Sequence, residues 1–92
     1  MTPPVLHLRI RGLVQGVSYR WNLVQAARRL GVAGWVRNRH DGSVEAMIAG
    51  PQSALDELVG WARRGPPGAR VDQVDAEPAE GTFDGFEQRP TA

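Results

Sequence analysis

The spacing of apolar residues along this chain changes from two to three or four, and back again, twice within 92 residues. Leu6, Leu8 and Ile10 alternate with polar residues, as on a strand with one buried face. Apolar residues then recur at helical spacing in Leu23, Ala26, Ala27 and Leu30. Gly31 follows where a C-terminal helix cap belongs. This change of period predicts a strand followed by an amphipathic helix.

The middle of the chain contains two further strands and a second helix pattern. GWVRN at 34–38 and SVEAMIAG at 43–50 predict the strands. Asp41-Gly42 between them predicts a hairpin, because glycine accepts the positive φ of a tight turn. Pro51 is expected in the first turn of the second helix, and GPPG at 65–68 ends it. The apolar stripe of that helix is Leu55, Leu58, Val59 and Ala62.

The predicted order of elements is typical of one fold class. Val71 and Val74 indicate a fourth strand, and Phe83 and Phe86 indicate a short fifth strand or an ordered tail. Strand, helix, strand, strand, helix, strand is the order of a two-layer α+β sandwich of the ferredoxin-like, split βαβ type. We expect an antiparallel sheet of four to five strands with two helices on one face. The length leaves no room for two cores, so residues 1–92 are expected to form a single domain.

Residue usage excludes several kinds of chemistry. The chain has no cysteine, so disulfides, thiolate catalysis and iron–sulfur clusters are excluded. His7 and His40 share no ligand spacing, and all eleven cationic side chains are arginine, so we expect no metal, no cofactor and no lysine chemistry. No apolar run approaches the roughly 18 residues of a membrane-spanning helix, and the alternation begins too early for a signal peptide. We therefore expect a soluble, cytoplasmic monomer that binds no membrane.

Arginines and carboxylates are unevenly divided along the chain. Seven arginines and no carboxylate precede residue 41, namely Arg9, Arg11, Arg20, Arg28, Arg29, Arg37 and Arg39. All ten carboxylates lie from Asp41 onward, together with four arginines. Such a division can focus an electric field on an anionic ligand, although most of these charges are expected simply to solvate the surface.

Two polar segments are expected at the same edge of the sheet. In a right-handed crossover the first two strands run parallel, so their carboxyl ends meet one edge. The first strand leads into GLVQGVSYR at 12–20, and the second strand ends at Asn38. Alternation places Asn38 on the same face as Val36, toward the helices. With one strand between them, the loop and Asn38 are expected to lie about 10 Å apart, a gap that a small ligand could span.

The GLVQGVSYR loop has features of an anion site and also of a plain turn. Gly12 and Gly16 would let the backbone curl and approach a ligand, and Ser18 is placed to cap the following helix. Arg20 at a helix start opposes the helix dipole, so it calls for an anionic partner. Glycines in a strand-to-helix loop are also common turn residues, as is Asn38 beside a hairpin.

Other conspicuous side chains have structural interpretations. Trp21, Trp35 and Trp61 are expected to be packing residues rather than a stacking platform for bases. His7 is expected on the sheet surface, and Asp41 in the hairpin turn.

The two polar segments together resemble the two signatures of the acylphosphatase family. GLVQGVSYR resembles the first signature, a glycine, then VQGV, then an aromatic residue and an arginine. GWVRNRHDGSVEAMIAG at 34–50 resembles the second, glycine, aromatic, valine, basic residue and asparagine, with later glycines in place. GP at 50–51, GPPGARV at 65–71 and the terminal phenylalanines extend the likeness over nearly the whole chain.

The resemblance implies a metal-independent hydrolase that acts on small acyl phosphates and releases a carboxylate and inorganic phosphate. It implies that Arg20 binds the phosphoryl oxygens and that Asn38 positions the attacking water. The backbone amides implied to cradle the phosphoryl group are those of Gln15, Gly16, Val17, Ser18, Tyr19 and Arg20. Ser18 and Tyr19 depart mildly from the family pattern, which could alter the entrance to the site and the preferred acyl group.

Two other functions remain open on the same architecture. The first is an RNA-binding sheet, favoured by a basic open face that carries His7, Arg9, Arg11 and Arg37. RNA-recognition sheets stack bases on aromatic residues, however, and Trp35 is the only one offered here, so we expect no nucleic-acid partner. The second is an acylphosphatase-like domain of a larger carbamoyl-transfer machine, which the lack of a partner domain in these 92 residues disfavours.

Overall fold

A computed structural model of the protein describes residues 3–92. It contains five strands and two helices, in the predicted order. These are β1 (Val5–Leu13), α1 (Tyr19–Leu30), β2 (Ala33–Asn38), β3 (Val44–Ala49), α2 (Gln52–Arg64), β4 (Arg70–Ala79) and β5 (Phe86–Arg89). The α+β fold class and the ferredoxin-like arrangement are confirmed, because both helices pack their apolar stripes into one core with the sheet.

The sheet has the order β4-β1-β3-β2-β5. β3 pairs antiparallel with both β1 and β2, so β1 and β2 run parallel, as the crossover predicts. One pair departs from the expected antiparallel sheet, because β5 pairs parallel with β2. The chain leaves β4 at one edge and crosses that end of the sheet in residues 80–85. It then runs back along the other edge, antiparallel to β4 and therefore parallel to β2.

The core lies between the helices and one face of the sheet. Alternate strand residues supply one side of it, including Leu8, Ile10, Val36, Val44, Ala46 and Ile48. The helices supply the other side, chiefly through Leu23, Ala26, Ala27, Leu55, Leu58 and Ala62. The predicted stripes are thus confirmed, with Leu30 and Val59 only partly buried at their margins.

The two predicted glycine turns are confirmed, and one helix start is shifted. Gly31 ends α1 with a φ of 70°, and Gly42 lies in the hairpin with a φ of 93°. Pro51 occupies the N-cap position of α2, just before the first turn in which it was expected. Its carbonyl oxygen accepts a hydrogen bond from the Leu55 N–H at 3.0 Å. Its ψ of 144° is extended, so the helix begins one residue later.

Gly12 is required for strand packing rather than for approach to a ligand. A β-bulge lies between Arg11 and Gly12, where β1 changes register against β4. A Cβ at Gly12 would lie 2.1 Å from the carbonyl oxygen of Arg70. The close contact that this glycine permits is therefore between β1 and β4.

Neither helix within residues 3–92 has the length and apolar character needed to cross a membrane.

Candidate active site

The loop before α1 and the end of β2 meet in one pocket of about 390 Å³. Every predicted site residue except Val17 lines this pocket, together with Val14, Trp21 and Gln88. The side chain of Val17 instead packs against the core. The parallel crossover therefore brings Asn38 and Arg20 to the same cavity, on the helical side of the sheet.

The loop presents a row of backbone donors. Within residues 3–92, the N–H groups of Gln15 through Arg20 donate to no protein acceptor. The first two amides of α1, those of Tyr19 and Arg20, belong to this row because a helix leaves its first N–H groups unpaired. Successive free N–H groups at a loop and helix start form a concavity of positive potential, which favours an anion.

Left-handed backbone at Gly16 and Ser18 curls the loop. Their φ values are 75° and 59°, and a Cβ on Gly16 would meet nothing within 4 Å, so only its φ demands glycine. Among residues 3–92, Ser18 is the only non-glycine residue with a positive φ. This left-handed conformation costs about 1–3 kcal/mol. Strain of this size at a loop of free donors is typical of a binding site.

The expectation that Ser18 caps α1 is wrong for its side chain. Ser18 occupies the N-cap position, but its hydroxyl makes no capping hydrogen bond. A capping serine is normally extended, whereas this one is left-handed, which turns the hydroxyl away from the helix amides. Its carbonyl oxygen instead accepts from the backbone and the side chain of Asn22, at 3.1 and 2.8 Å. The helix amides remain free.

Arg20 reaches the pocket without a carboxylate partner. Its Nη1 donates to the carbonyl oxygen of Arg89 in β5 at 3.1 Å. No carboxylate of residues 3–92 lies within 4 Å of its guanidinium nitrogens. The carbonyl orients the guanidinium while its positive charge stays uncompensated, as a bidentate site for phosphoryl oxygens requires.

Asn38 carries a buried acceptor that has no partner. Its Oδ1 is inaccessible to solvent and makes no hydrogen bond to the rest of the described chain. Its backbone is held on both sides, by pairing with Val44 and by the Ala92 N–H, which donates to the Asn38 carbonyl at 3.0 Å. Buried polar atoms are nearly always hydrogen-bonded, so this amide is suited to hold a water or a ligand group.

The side chain of Gln15 joins the two halves of the site, a role that the sequence analysis missed. Its Nε2 donates to the carbonyl oxygens of Arg39 and Ser43, at 2.8 and 2.9 Å. Arg39 follows Asn38, so Gln15 ties the amide loop to the strand end that carries the asparagine. Its backbone N–H remains free for the pocket.

Tyr19 does not shape the entrance to the site through its side chain. The residue is 1% exposed, and its hydroxyl donates to the Ala62 carbonyl at 2.7 Å, where burial raises the pKa of the phenol. In a continuous helix the Ala62 carbonyl would accept the N–H of residue 66, which is a proline. The Tyr19 hydroxyl thus supplies the hydrogen bond that the Ala62 carbonyl at the end of α2 would otherwise lack. The Tyr19 ring packs on Trp61, with ring centroids 5.4 Å apart.

Glu45 organises the open face of the sheet. His7 Nε2 lies 2.6 Å from one carboxylate oxygen, and Arg37 and Arg39 lie 2.7 and 3.5 Å from the other. Burial acts to raise the pKa of Glu45, but the bonds from His7 and Arg37 outweigh it and hold the pKa below its usual value. His7 is on the sheet surface, as predicted.

Asp41 pairs with the other arginines of this face. Arg9 and Arg11 approach its carboxylate at 3.4 and 3.8 Å. The hydroxyl and the N–H of Ser43 donate to Asp41 at 2.6 and 2.9 Å and lower its pKa. Asp41 therefore has the expected hairpin role. Asp41 and Glu45 together compensate four of the seven early arginines, but not Arg20.

No group of three or more His, Cys, Asp or Glu side chains in residues 3–92 is arranged to hold a metal ion.

Comparison with known proteins decides the family. The acylphosphatase family model matches residues 6–88. The chain belongs to the acylphosphatase family, whose members are hydrolases. It is 58% identical over 86 residues to an acylphosphatase of Acidovorax sp. (strain JS42), covering 92% of this chain and 89% of that one. It is 55% identical over 84 residues to an acylphosphatase of Thiobacillus denitrificans, covering 91% and 94%.

A solved acylphosphatase structure agrees with the fold. The structure from Coxiella burnetii superposes with a TM-score of 0.92 at 31% identity, over 96% of this chain and 94% of that one. The resemblance that the two signatures indicated is therefore confirmed, and with it the enzyme class. The pocket described above lies where both family signatures meet. Trp21 and Gln88 also line the pocket but were not predicted as site residues. Gln88 lies 50 residues beyond Asn38, in a strand without a sequence motif.

Proposed function

We propose that this enzyme hydrolyses small acyl phosphates by holding the phosphoryl group on Arg20 and the amides of Gln15 to Arg20, while Asn38 orients the attacking water. One observation carries the proposal. A single pocket is lined by five of the six loop residues with unpaired N–H groups, by an arginine without a carboxylate partner, and by an asparagine whose buried amide oxygen has no partner. Together these groups fit a compact dianion and one water molecule.

The reaction needs little covalent help from the protein. The leaving group is a carboxylate, whose conjugate acid has a pKa of about 4, so it departs without a general acid. Phosphoryl transfer passes through a loose transition state that requires positioning and charge stabilisation. Arg20 and the amides supply positive charge that is already in place, so we propose that the reaction needs no metal ion.

Asn38 is suited to orient water rather than to deprotonate it. A carboxamide has no basic group at neutral pH, but its oxygen accepts a hydrogen bond from water and its NH₂ group donates. The water oxygen attacks phosphorus, and the bond from phosphorus to the acyl oxygen breaks with its electron pair leaving on the carboxylate. Both protons of the water stay with the phosphoryl group, which becomes inorganic phosphate. Asn38 lines the pocket, so its side-chain amide is placed to bind a single water molecule there.

The open face of the sheet gives little support to an RNA-binding function. Trp35 is covered by two guanidiniums, with the Cζ atoms of Arg37 and Arg89 at 4.9 and 4.8 Å from its ring centroid. A base could stack on Trp35 only by displacing one of them. Most arginines of this face are also compensated by carboxylates. We propose that the enzyme binds no nucleic acid.

We further propose that the enzyme is a one-domain monomer that acts in the cytoplasm. All of the candidate groups come from one chain, so no second copy is needed to complete the site.

The test is hydrolysis of benzoyl phosphate in the presence of a chelator. We expect turnover above the spontaneous rate without added metal. Arg20→Ala should raise the inhibition constant of phosphate by about 10-fold or more, because it removes a charge-assisted pair. Asn38→Ala should lower kcat by about 100-fold while the inhibition constant of phosphate changes little.

Arg29→Ala is the matched control for the arginine variant, since Arg29 is an exposed arginine of the same helix. It should leave turnover and phosphate inhibition unchanged. Equal losses of turnover and phosphate affinity in both site variants would contradict the separate roles. Hydrolysis only after addition of Mg²⁺ would contradict the metal-independent mechanism.

A further inference from the structure

We propose that the exposed indole of Trp21 forms the acyl-group subsite of this pocket, so that the enzyme prefers acyl phosphates with aromatic or extended apolar acyl groups. The inference rests on the proposed function, and it assigns a part of the pocket that the phosphoryl group does not use. It also names the substrate class, which the catalytic groups alone leave open.

The three tryptophans of the chain have different surroundings. Trp61 packs on Tyr19, and Trp35 lies under two guanidiniums. Trp21 is 60% exposed and has no aromatic or cationic partner within residues 3–92. The expectation that all three are packing residues is therefore wrong for Trp21. A large apolar ring left in solvent beside a catalytic pocket is a candidate for ligand contact.

Trp21 supplies the accessible apolar surface of the pocket. The other apolar side chains of its lining are Val14 and Tyr19, and each is only 1% exposed. The pocket volume of about 390 Å³ falls in the range of about 300–1,000 Å³ that accommodates whole small molecules. No carboxylate lines the pocket within the described residues. The indole of Trp21 is therefore the surface in this pocket on which an apolar acyl group can pack.

The in-line geometry of phosphoryl transfer places the acyl group on the side of Trp21. Attacking and leaving oxygens lie on opposite sides of phosphorus. Two groups of the lining differ in depth, because Asn38 Oδ1 is buried and Trp21 is exposed. A water held by Asn38 approaches from the floor, so the acyl group leaves toward the rim. Trp21 and Arg20 line the same pocket, so the indole and the guanidinium border one cavity.

The experiment compares kcat/KM for benzoyl phosphate and acetyl phosphate. The wild-type enzyme should favour benzoyl phosphate. Trp21→Ala should lower the ratio of the two kcat/KM values by about 5–20-fold, the effect expected when one aromatic contact and its buried area are lost. Trp21→Phe should retain most of the ratio, because a phenyl ring still offers an apolar face. Leu13→Ala is the matched control, since Leu13 is 53% exposed but does not line the pocket, and it should leave the ratio unchanged.

Three results would overturn the assignment. A wild-type enzyme without preference for benzoyl phosphate has no apolar acyl subsite. An equal fall in both kcat/KM values in Trp21→Ala would show that the indole acts on the phosphoryl site or on the fold. A fall in the ratio with Leu13→Ala as large as with Trp21→Ala would show that any exposed apolar side chain has this effect. If the wild-type enzyme hydrolyses neither substrate, the proposed function itself fails, which is a different outcome from loss of the preference.

Discussion

Replacement of Gln15 by methionine tests whether the amide loop and Asn38 are mechanically joined. Methionine has nearly the same length but donates no hydrogen bond, so the change removes the bonds from Nε2 to Arg39 and Ser43. Each carbonyl keeps one backbone donor, because the Gly42 N–H bonds Arg39 at 3.1 Å and the Arg39 N–H bonds Ser43 at 2.8 Å. No orphaned acceptor is therefore created.

The expected magnitude follows from this count of bonds. Two net hydrogen bonds of about 0.5–1.5 kcal/mol each give a loss of about 1–3 kcal/mol in the free energy of unfolding. For a domain of this size, a loss of about 2 kcal/mol lowers Tm by roughly 8–16 °C. Because the loop then moves relative to Asn38, we expect kcat to fall by about 10-fold or more in the same variant.

The assays are urea unfolding and benzoyl phosphate turnover at a temperature where the variant is folded. Gln25→Met is the matched control, since Gln25 is an exposed glutamine of α1 whose side chain has no hydrogen-bond partner in residues 3–92. It should change the free energy of unfolding by less than about 0.5 kcal/mol. Wild-type stability together with wild-type turnover in Gln15→Met would show that the Gln15 side chain does not join the amide loop to Asn38.

Two further predictions concern the surroundings of the site. Tyr19→Phe leaves the Ala62 carbonyl without a donor, because residue 66 is a proline, so urea unfolding should show a loss of about 1–3 kcal/mol. An unchanged free energy of unfolding would mean that water replaces the phenol there. Glu45→Gln removes a carboxyl group whose pKa is lowered in the folded state. The ionised carboxylate stabilises the fold above its usual pKa of 4.5, and this stabilisation is lost as the pH falls through the folded-state pKa. The stability advantage of the wild type over Glu45→Gln should therefore shrink below pH 4.5, and an advantage that stays constant down to pH 3 would contradict this.

Local periodicity was sufficient to predict the first four strands, both helices and the face of the sheet on which Asn38 lies, but it left β5 open between a strand and an ordered tail. Val36 is buried under the helices, and the alternation of β2 puts Asn38 on the same face. The right-handed crossover between β1 and β2 then predicted that the 12–20 loop lies at the same edge of the sheet as Asn38. The exposure of Trp21 could also have been predicted, because it lies off the stripe of α1 that begins at Leu23.

The features that were missed depend on distant partners or on backbone conformation. Gln15 bonds carbonyls 24 and 28 residues away, and the hydroxyl of Tyr19 bonds one 43 residues away. No local pattern indicates such pairs. The residue type of Ser18 favours a capping role, which its left-handed φ prevents. The parallel pairing of β5 depends on the path of residues 80–85 across the end of the sheet.

The proposed mechanism requires that the amides of Gln15 to Arg20 bind the phosphoryl group. Titration of inorganic phosphate into ¹⁵N-labelled protein, followed through the amide resonances, measures this binding at each N–H group. We predict saturable shifts in these six amides with one dissociation constant, equal to the inhibition constant of phosphate in the benzoyl phosphate assay. The amides of the hairpin turn at Asp41 and Gly42 should not move. Shifts confined to the open face around Arg9 and Arg11, with the loop amides unmoved, would show that phosphate does not bind at this loop.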